Sequence, residues 1–543
     1  MNNRHHKFIG VVLCLLVSVM VIGTHSVGRL FPIAPATLAL SVITIVGFYY
    51  ISENNRLTIP VLFVCAISII HFIWMAQFGA SMVGTDTGKI VLWTQQMIES
   101  GSTDVIPSPF YSSAPLMVIL AAIGSGIIGV TAPSGFLIYA LLAGTMIPIS
   151  TAAIVDRQWD DRGAALLAAA LSVTVAPIVG MAIAPIPQNI AVLYWTGAIM
   201  STSLYIRLPD RRLSLFLLVG AFVTGSLYSH KIAAFLLFVT FICTFTALFV
   251  KKIIIGSQNE TTALKPTFNL AMLAGLILFV QWDYLVNYFD RAIARILAIR
   301  TSPQTAPEVE FTAAVALNGD VLSLISYSMQ LLVGLSIAGI CWWYLATTDY
   351  RRENTIYLLI STAVITSMVI ASVFAPISNN RMLFYAAPLL VVIIGGAVAL
   401  EITPRKTLIL TIAILFIFTQ LFAATATPDY HDSTRTYLTE PEADAKMWGE
   451  NYSTRVYADA RFAGENPRSN IVRQKEPSIH QPLGTGVLNG TISSDYKCIA
   501  YRERAQNSHS VTQGTYEWTW DMESELERTR NKVYTSKSVS QYC

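Results

Sequence analysis

Charged residues are scarce in this chain. Lys, Arg, Asp and Glu make up 13% of its 543 residues, whereas about 25% is usual for soluble domains. Hydrophobic residues make up 54%. The net charge is only +3, and nothing in the composition suggests binding to nucleic acid. The composition excludes an ordinary soluble domain and indicates a protein that lies mainly in lipid.

Cysteine is also rare, with six residues in the whole chain. Four of them lie within apolar stretches and behave as small buried hydrophobic residues. Cys498 and Cys543 lie near the C-terminus, where they could pair if that region faces an oxidising exterior. The sequence contains no Walker loop, zinc-ligand spacing or Ser/His/Asp arrangement.

The charges that are present concentrate near the C-terminus. Thirty of the 69 charged residues follow Thr427, which predicts a membrane domain over 1–427 and a soluble α/β domain over 428–543. In the second part, acidic residues favour a helix from Glu440, and alternation over 455–461 predicts a strand. Residues 524–542 are typical of a helix followed by a hairpin, and the polar stretch 463–512 predicts loops.

The rest of the chain is a series of long hydrophobic runs, each near the roughly 20 residues that cross a bilayer. Lys and Arg in the short loops predict a cytoplasmic N-terminus and an extracytoplasmic C-terminus. The glycine-interrupted run 115–130 is predicted not to cross fully, which leaves about 13 transmembrane helices in the cell membrane. The candidate spans are 8–24, 31–51, 59–78, 115–130, 135–155, 164–183, 189–206, 213–229, 232–250, 268–289, 321–345, 355–374, 382–400 and 407–426.

This topology places two large loops outside, 79–113 and 290–320. The first contains Asp86, followed by an amphipathic stretch with Lys89 that predicts an interfacial helix ending at Gly101. At the start of such a helix the backbone N–H groups and the dipole stabilise an anionic carboxylate, which can accept a proton. The structural alternative is a helix N-cap. The second loop is preceded by another predicted interfacial helix, which carries Arg291 and Arg295.

Three cationic residues lie at other predicted external turns. Arg381 follows a tight loop, where its guanidinium could hold a phosphate through two hydrogen bonds. His230 and Lys231 form a second candidate for phosphate contact. The alternative for all three is anchoring of helix ends at the membrane surface.

These features resemble the GT-C superfamily of integral-membrane glycosyltransferases, most of all archaeal transferases that use dolichyl-phosphate-mannose. The resemblance rests on Asp86 in a large external loop, the helix after it, about 13 crossings and an external C-terminal domain. It differs in that a hairpin of spans precedes the acidic loop and in that Asp86 stands alone.

The resemblance implies transfer of a hexose, such as mannose, from a polyprenyl-phosphate carrier to a lipid-linked glycan or a protein at the outer face, usually with inversion. Asp86 would be the general base, and Arg381 with His230 or Lys231 would neutralise the departing phosphate. No cofactor is required, although a divalent cation could assist. The C-terminal domain would cover the membrane site, bind an acceptor or act as a structural cap.

Two other functional classes are alternatives. A polytopic transporter would carry charges in the middle of its spans and would show paired halves, but such charges are scarce here and no repeat is evident. A non-catalytic cell-envelope scaffold would fit the C-terminal domain but would leave Asp86 unexplained.

Overall fold

A computed structural model of the chain describes residues 3–27, 30, 33–51, 56–83, 87–107, 109–184, 186–255, 263–280, 314–316, 321–349, 352–374, 379–400, 438–468, 471, 479–507, 509–511 and 514–543. The first part of the chain is helical, as the hydrophobic runs predict. Its helices are α1 (Asn3–Val27), α2 (Ile33–Ile51), α3 (Thr58–Gln77), α4 (Thr87–Ser100), α5 (Pro109–Ser112), α6 (Leu116–Ile128), α7 (Ala132–Gly135), α8 (Ile138–Trp159), α9 (Arg162–Thr174), α10 (Ala176–Ile183), α11 (Pro187–Arg207), α12 (Arg212–Ser229), α13 (Lys231–Ile255), α14 (Leu264–Phe279), α15 (Val321–Thr348), α16 (Glu353–Phe374) and α17 (Asn379–Ala399).

Many of these helices are suited to a membrane. Within the described ranges, eight helices are long and apolar enough to cross a bilayer, or nine if one bent pair is a single span. Helices dominate because lipid offers no hydrogen-bond partners to the backbone, so each segment must satisfy its own N–H and C=O groups. The protein is therefore a multi-pass membrane protein. The number of 13 crossings and the orientation stay predictions, and the candidate span 407–426 lies outside the described residues.

The helices at the edge and at the centre of the bundle differ in their side chains. In α1, exposed apolar residues recur at helical spacing, as a lipid-facing surface requires: Val11, Leu15, Val19 and Ile22. At the centre, small residues let helices approach closely. A Cβ added at Gly396 of α17 would lie 2.4 Å from the Trp159 ring of α8, so only glycine fits that contact.

Two predicted spans take a different form. The stretch 164–183, predicted as one span, consists of two helices, α9 and α10, which bend by 60° relative to each other. Pro177 explains the break, since proline lacks a backbone N–H and disfavours helical geometry in the residue before it. In the stretch 115–130, α6 has 13 residues. A helix of that length rises about 20 Å, less than the hydrocarbon core of about 30 Å.

The C-terminal region, residues 438–543, forms a five-stranded sheet and supplies two strands of a three-stranded sheet, whose third strand, β1, lies between α14 and α15 in the chain. The five-stranded sheet has the order β3-β2-β4-β8-β7, and the three-stranded antiparallel sheet has the order β1-β6-β5. The strands are β1 (Ala314–Ala316), β2 (Val456–Ala458), β3 (His480–Pro482), β4 (Cys498–Tyr501), β5 (His509–Val511), β6 (Gly514–Trp518), β7 (Lys532–Thr535) and β8 (Ser540–Tyr542). The helices are α18 (Glu440–Tyr452), α19 (Ala460–Gly464), α20 (Glu503–Asn507) and α21 (Met522–Thr529).

The predicted elements of this region are confirmed in part. α18 begins with a capping box between Thr439 and Glu442, β2 lies within 455–461, and α21 leads into the β7–β8 hairpin. The prediction of loops over 463–512 was wrong. Two strands of the larger sheet lie there, β3 and β4, and both pair parallel with β2.

A disulfide joins Cys498 at the start of β4 to Cys543 after β8. β4 and β8 pair antiparallel, so the disulfide links two neighbouring strands that are already joined by backbone hydrogen bonds.

Replacing both cysteines by alanine is expected to lower the free energy of unfolding of the C-terminal region by about 2–4 kcal/mol, because the loop between them regains freedom in the unfolded state. Denaturant unfolding of the purified protein, with and without reductant, measures this change. Cys14→Ala is the control, since Cys14 of α1 is a free cysteine that is exposed, and its predicted burial was wrong. Equal stability of the double variant and the wild type would contradict the prediction.

Candidate functional site

The loop between α3 and α4 leads to the predicted base. Thr87 begins α4, and its hydroxyl donates to the carbonyl oxygen of Val83 at 2.8 Å. Asp86 lies between these two residues and outside the described part of the chain. The helix predicted after Asp86 is confirmed as α4, and it ends at Gly101, whose φ of +70° favours glycine. Lys89 is exposed on this helix.

His230 and Lys231, two of the predicted phosphate-binding residues, form the turn between α12 and α13. The backbone N–H of His230 donates to the carbonyl oxygen of Ser226 at 2.8 Å and ends α12. The His230 side chain is buried, with Nδ1 3.4 Å from the hydroxyl oxygen of Tyr385. Lys231 begins α13, and only its backbone is described.

Arg381, the third such residue, lies in the first turn of α17. Its backbone is described but its side chain is not. Tyr385 follows one helical turn later, about 6 Å along the axis. Through Tyr385 the structure brings the start of α17 to the turn that contains His230. The Tyr385 ring also packs edge-on against Trp195 of α11, with ring centroids 6.0 Å apart.

A short helix, α10, packs against both α3 and α17. A Cβ added at Gly180 of α10 would lie 4.0 Å from the ring of Phe384 in α17. Asn189 of α11 donates from Nδ2 to the carbonyl oxygen of Met181 at 2.8 Å, which fixes α10 to the next helix. α3, which precedes the loop of Asp86, and α17, which carries Arg381 in its first turn, therefore both contact α10.

The C-terminal region binds the loop between α3 and α4. The N–H of Ala80 donates to the carbonyl oxygen of Leu438, and the N–H of Leu438 donates to Oγ of Ser81, both at 2.8 Å. Ser81 also pairs with Pro467 in an isolated antiparallel bridge. The N–H of Arg468 donates to the carbonyl oxygen of Ala80 at 3.0 Å. These contacts were not predicted, because pairing between distant parts of a chain leaves no local pattern.

The same C-terminal segment contacts the beginning of α4. A Cβ added at Gly88 would lie 3.2 Å from Nδ2 and 3.3 Å from the backbone nitrogen of Asn466. Gly88 thus permits a close approach, because a Cβ at this position would require Asn466 to shift by a few tenths of an ångström. Residues 465–468, which we call the docking segment, therefore contact the chain on both sides of Asp86.

Buried charged residues hold the helix α19 that precedes the docking segment. Arg502 donates from Nε to Oδ2 of Asp459 at 2.8 Å and from Nη1 to Oε1 of Glu442 at 3.1 Å. All three side chains are nearly inaccessible. Burial alone would raise the pKa of Asp459, but Arg502 lowers it to about 2. Asp459 in turn accepts a hydrogen bond from the N–H of Phe462 and caps the start of α19.

Lys446 holds the other end of α19. Its fully buried ammonium donates to the carbonyl oxygens of Phe462 at 2.6 Å, of Ala463 at 3.2 Å and of Glu465. The last carbonyls of a helix have no partner within the helix, and Lys446 supplies one. Burial lowers the pKa of Lys446 to about 8. The docking segment therefore extends from a helix that is fixed at both ends.

Glu465, the first residue of the docking segment, is 2% exposed. Within the described part of the chain, no hydrogen-bond donor contacts either of its carboxylate oxygens. Burial raises the pKa of Glu465 to about 7, although Arg502 and Arg504 favour its ionised form. The docking segment therefore begins with a buried carboxyl whose pKa is raised to about 7.

The second loop that is predicted to be external also contacts the C-terminal region. Ala314–Ala316, strand β1, pairs antiparallel with β6, so that Ala314 lies opposite Trp518. Arg291 and Arg295, predicted on an interfacial helix of this part of the chain, lie outside the described residues.

No family model matches the chain, and no curated protein is similar to it in sequence. Solved structures share its fold. ArnT from Cupriavidus metallidurans in the apo state has a TM-score of 0.51 over 89% of this chain and 98% of that chain, at 12% identity. ArnT bound to undecaprenyl phosphate has a TM-score of 0.51 over 89% and 97%, at 12% identity. The apo oligosaccharyltransferase of Archaeoglobus fulgidus has a TM-score of 0.49 over 82% and 70%, at 13% identity.

At this identity the likeness to ArnT shows the fold alone. The chain has the GT-C fold: a polytopic helical membrane protein with a small C-terminal α/β region. The resemblance noted from Asp86 and the helix after it is thereby confirmed at the level of the fold.

Glu465→Gln is expected to remove a pH dependence of stability. Folding keeps a proton on Glu465 up to about pH 7, whereas the reference pKa is 4.5. This contribution to stability is complete below pH 4.5 and is lost as the pH rises through 7. Glutamine does not titrate, so the stability of the variant relative to the wild type should increase by about 3 kcal/mol from pH 4 to pH 8.

Thermal unfolding of the full-length variant and wild type across this pH range measures the difference. Glu503→Gln, at an exposed position of α20, is the matched control and should run parallel to the wild type. If the stability of Glu465→Gln changed with pH as that of the wild type does, the raised pKa of Glu465 would be wrong.

Proposed function

We propose that this protein is a membrane glycosyltransferase. It transfers a hexose from a polyprenyl- or dolichyl-phosphate carrier to a lipid-linked glycan or a protein acceptor at the outer face of the cell membrane. Mannose is the hexose that the resemblance suggests. The reaction is a single displacement that inverts the configuration at the anomeric carbon.

The observation that carries the proposal is the fold, which this chain shares with ArnT over nearly the full length of both proteins. One of the ArnT structures is bound to undecaprenyl phosphate, a carrier of the proposed chemical class. The proposal places the site between membrane and water, where a lipid-linked phosphate and a polar acceptor can meet.

In the proposed reaction Asp86 accepts the proton of an acceptor hydroxyl. The acceptor oxygen forms a bond to the anomeric carbon as the bond from that carbon to the phosphate oxygen breaks. The electron pair leaves with the lipid phosphate. The position of Asp86, directly before α4, supports its ionised form, because the start of a helix favours negative charge.

The leaving phosphate requires positive charge and hydrogen-bond donors. The proposal assigns this role to Arg381, His230 and Lys231. The first turn of α17 adds backbone N–H groups that have no partner within the helix and bind anions. Tyr385, which the sequence did not indicate, would orient the His230 ring through the contact at 3.4 Å.

The proposal also includes the topology. Residues 428–543 form an extracytoplasmic domain, the N-terminus is cytoplasmic, and Lys89, Arg291 and Arg295 lie on helices at the membrane surface. In the described ranges, no group of three or more His, Cys, Asp and Glu residues could hold a metal ion. Transfer should be assayed with a divalent cation and with a chelator, which decides whether a cation assists.

Asp86→Asn is expected to lower kcat for sugar transfer by about 10²–10⁴-fold, because general-base catalysis contributes that factor. The assay uses purified protein, a panel of polyprenyl-phosphate hexoses and an extract of lipid-linked glycans and peptides. Asp104→Asn is the matched control. Asp104 is an exposed acid of the same predicted external loop, 79–113, and its replacement should leave kcat unchanged. Wild-type rates in Asp86→Asn would exclude this base, and a wild type that transfers no sugar would exclude the function.

Arg381→Ala is expected to weaken binding of the polyprenyl-phosphate donor and to lower kcat, because the guanidinium contacts the phosphate before and during its departure. A charge-assisted hydrogen bond contributes roughly 1.5–3 kcal/mol, which corresponds to about 10–100-fold in Kd. Titration of the protein with polyprenyl phosphate measures Kd. Arg381→Lys should lose less, and equal binding by all three proteins would contradict the assignment.

A further inference from the structure

The C-terminal region contains a surface turn with the sequence Asn489-Gly490-Thr491, and all three residues are exposed. Asn489 ends a 3-10 helix, Thr485–Asn489, and Gly490 turns the chain at a φ of +70°, which favours glycine. Asn-x-Ser/Thr, with any residue except proline in the middle, is the sequence in which asparagine accepts an N-linked oligosaccharide. The turn therefore combines this acceptor sequence with an exposed asparagine.

The turn is anchored on its inner side. Val487 and Leu488, directly before Asn489, are fully buried in a hydrophobic core of the C-terminal region. The carbonyl oxygen of Val487 accepts hydrogen bonds from Nε1 of Trp520 at 2.9 Å and from the N–H of Gly490 at 3.2 Å. Because the anchoring side chains precede the exposed residues, a bulky group on Asn489 can extend into water without displacing the core.

The threonine of the motif closes the turn. The N–H and the hydroxyl of Thr491 both donate to the carbonyl oxygen of Gly486, at 3.1 Å and 2.9 Å. Asn489 lies within the segment that these two hydrogen bonds enclose. The motif is thus part of a defined surface loop, which is the setting expected of an N-linked acceptor.

A second observation concerns the side of the membrane on which the turn lies. Cys498 forms a disulfide with Cys543, and disulfides persist in oxidising compartments outside the cytosol. The segment from Thr491 to Cys498 is far shorter than the roughly 20 residues that a crossing requires. The turn and the disulfide therefore lie on the same side, and the disulfide favours the extracytoplasmic side, where secreted proteins receive N-linked sugars.

The described residues contain the same motif once more, at Asn451-Tyr452-Ser453. Asn451 and Tyr452 are the last two residues of α18. Side chains two residues apart on a helix do not face each other, so the end of a helix does not present the asparagine and the hydroxyl together. The hydroxyl of Ser453 is also partly buried, with Oγ 3.7 Å from Sγ of Cys498. The structure therefore favours Asn489 over Asn451 as an acceptor.

We propose that Asn489 is a site of N-linked glycosylation. The co-reactant is a lipid-linked oligosaccharide, and a separate transferase performs the step. Nδ2 of Asn489 forms a bond to the anomeric carbon of the first sugar as the bond from that carbon to a phosphate oxygen of the carrier breaks. The amide loses one proton, and the electron pair leaves with the phosphate. The proposal rests on the proposed orientation of the C-terminal region, and not on the reaction proposed for the membrane site.

Mass spectrometry of the full-length protein, purified from its own cells, tests the proposal. Peptides that contain Asn489 are expected to carry an oligosaccharide and to lose it on treatment with an enzyme that releases N-linked glycans. Peptides that contain Asn451 are the internal control and should have the mass of the unmodified sequence. Unmodified Asn489, with or without a glycan at Asn451, would overturn the proposal.

Variants of the motif separate glycosylation from a change of fold. Asn489→Gln and Thr491→Ala should lose the oligosaccharide completely, because each removes a residue that the motif requires. Thr491→Ser should keep it, since serine retains the hydroxyl that donates to Gly486. Thr485→Ala, at an exposed position of the same turn outside the motif, is the matched control and should also keep it. An oligosaccharide that remains on this turn in Thr491→Ala would overturn the proposal.

The glycan and the transfer activity are measured separately, so the two proposals can fail independently. If Asn489 carries an oligosaccharide but the wild type transfers no sugar, the proposed reaction is wrong and the glycosylation site is supported. If the wild type transfers sugar and Asn489 is unmodified, the glycosylation site alone is wrong.

Discussion

The contact between Arg468 and the last carbonyls of α3 is an interaction that joins the C-terminal region to the helix before the loop of the predicted base. It is a charge-assisted contact at a helix terminus, so it combines directional hydrogen bonds with an electrostatic attraction. It joins a helix whose backbone groups satisfy one another, as lipid requires, to a region that contains short strands. The loop of the predicted base begins at this junction.

This arrangement requires charged side chains to be buried inside the C-terminal region. Burying an isolated charge is expensive, yet Lys446, Asp459 and Arg502 are all inaccessible. Their pairing explains how the region tolerates them: Arg502 satisfies two carboxylates, and Lys446 satisfies backbone carbonyls rather than another charge. Such networks restrict geometry more than they add stability. Here the restricted geometry is the direction in which the docking segment leaves α19.

The sequence predicted most of what depends on local pattern. The helical membrane class follows from the long apolar runs, and α4 follows from its amphipathic stretch and from Gly101. The bend before Pro177 was missed because averaging over a hydrophobic run hides a single proline. Strands β3 and β4 were missed because each has only three or four residues. The contact of His230 with Tyr385, and of Ser81 with Pro467, could not be predicted, because it joins residues far apart in the chain.

Strand β1 has a consequence for how the protein is made. It is synthesised between α14 and α15, long before its partner β6 leaves the ribosome. During that interval its backbone groups have no sheet to join, and membrane helices are still being inserted. The pairing of β1 with β6 therefore cannot form until residues 514–518 have been synthesised, after the described helices of the first part of the chain. Formation of this small sheet is in this way delayed until both parts of the chain have been made.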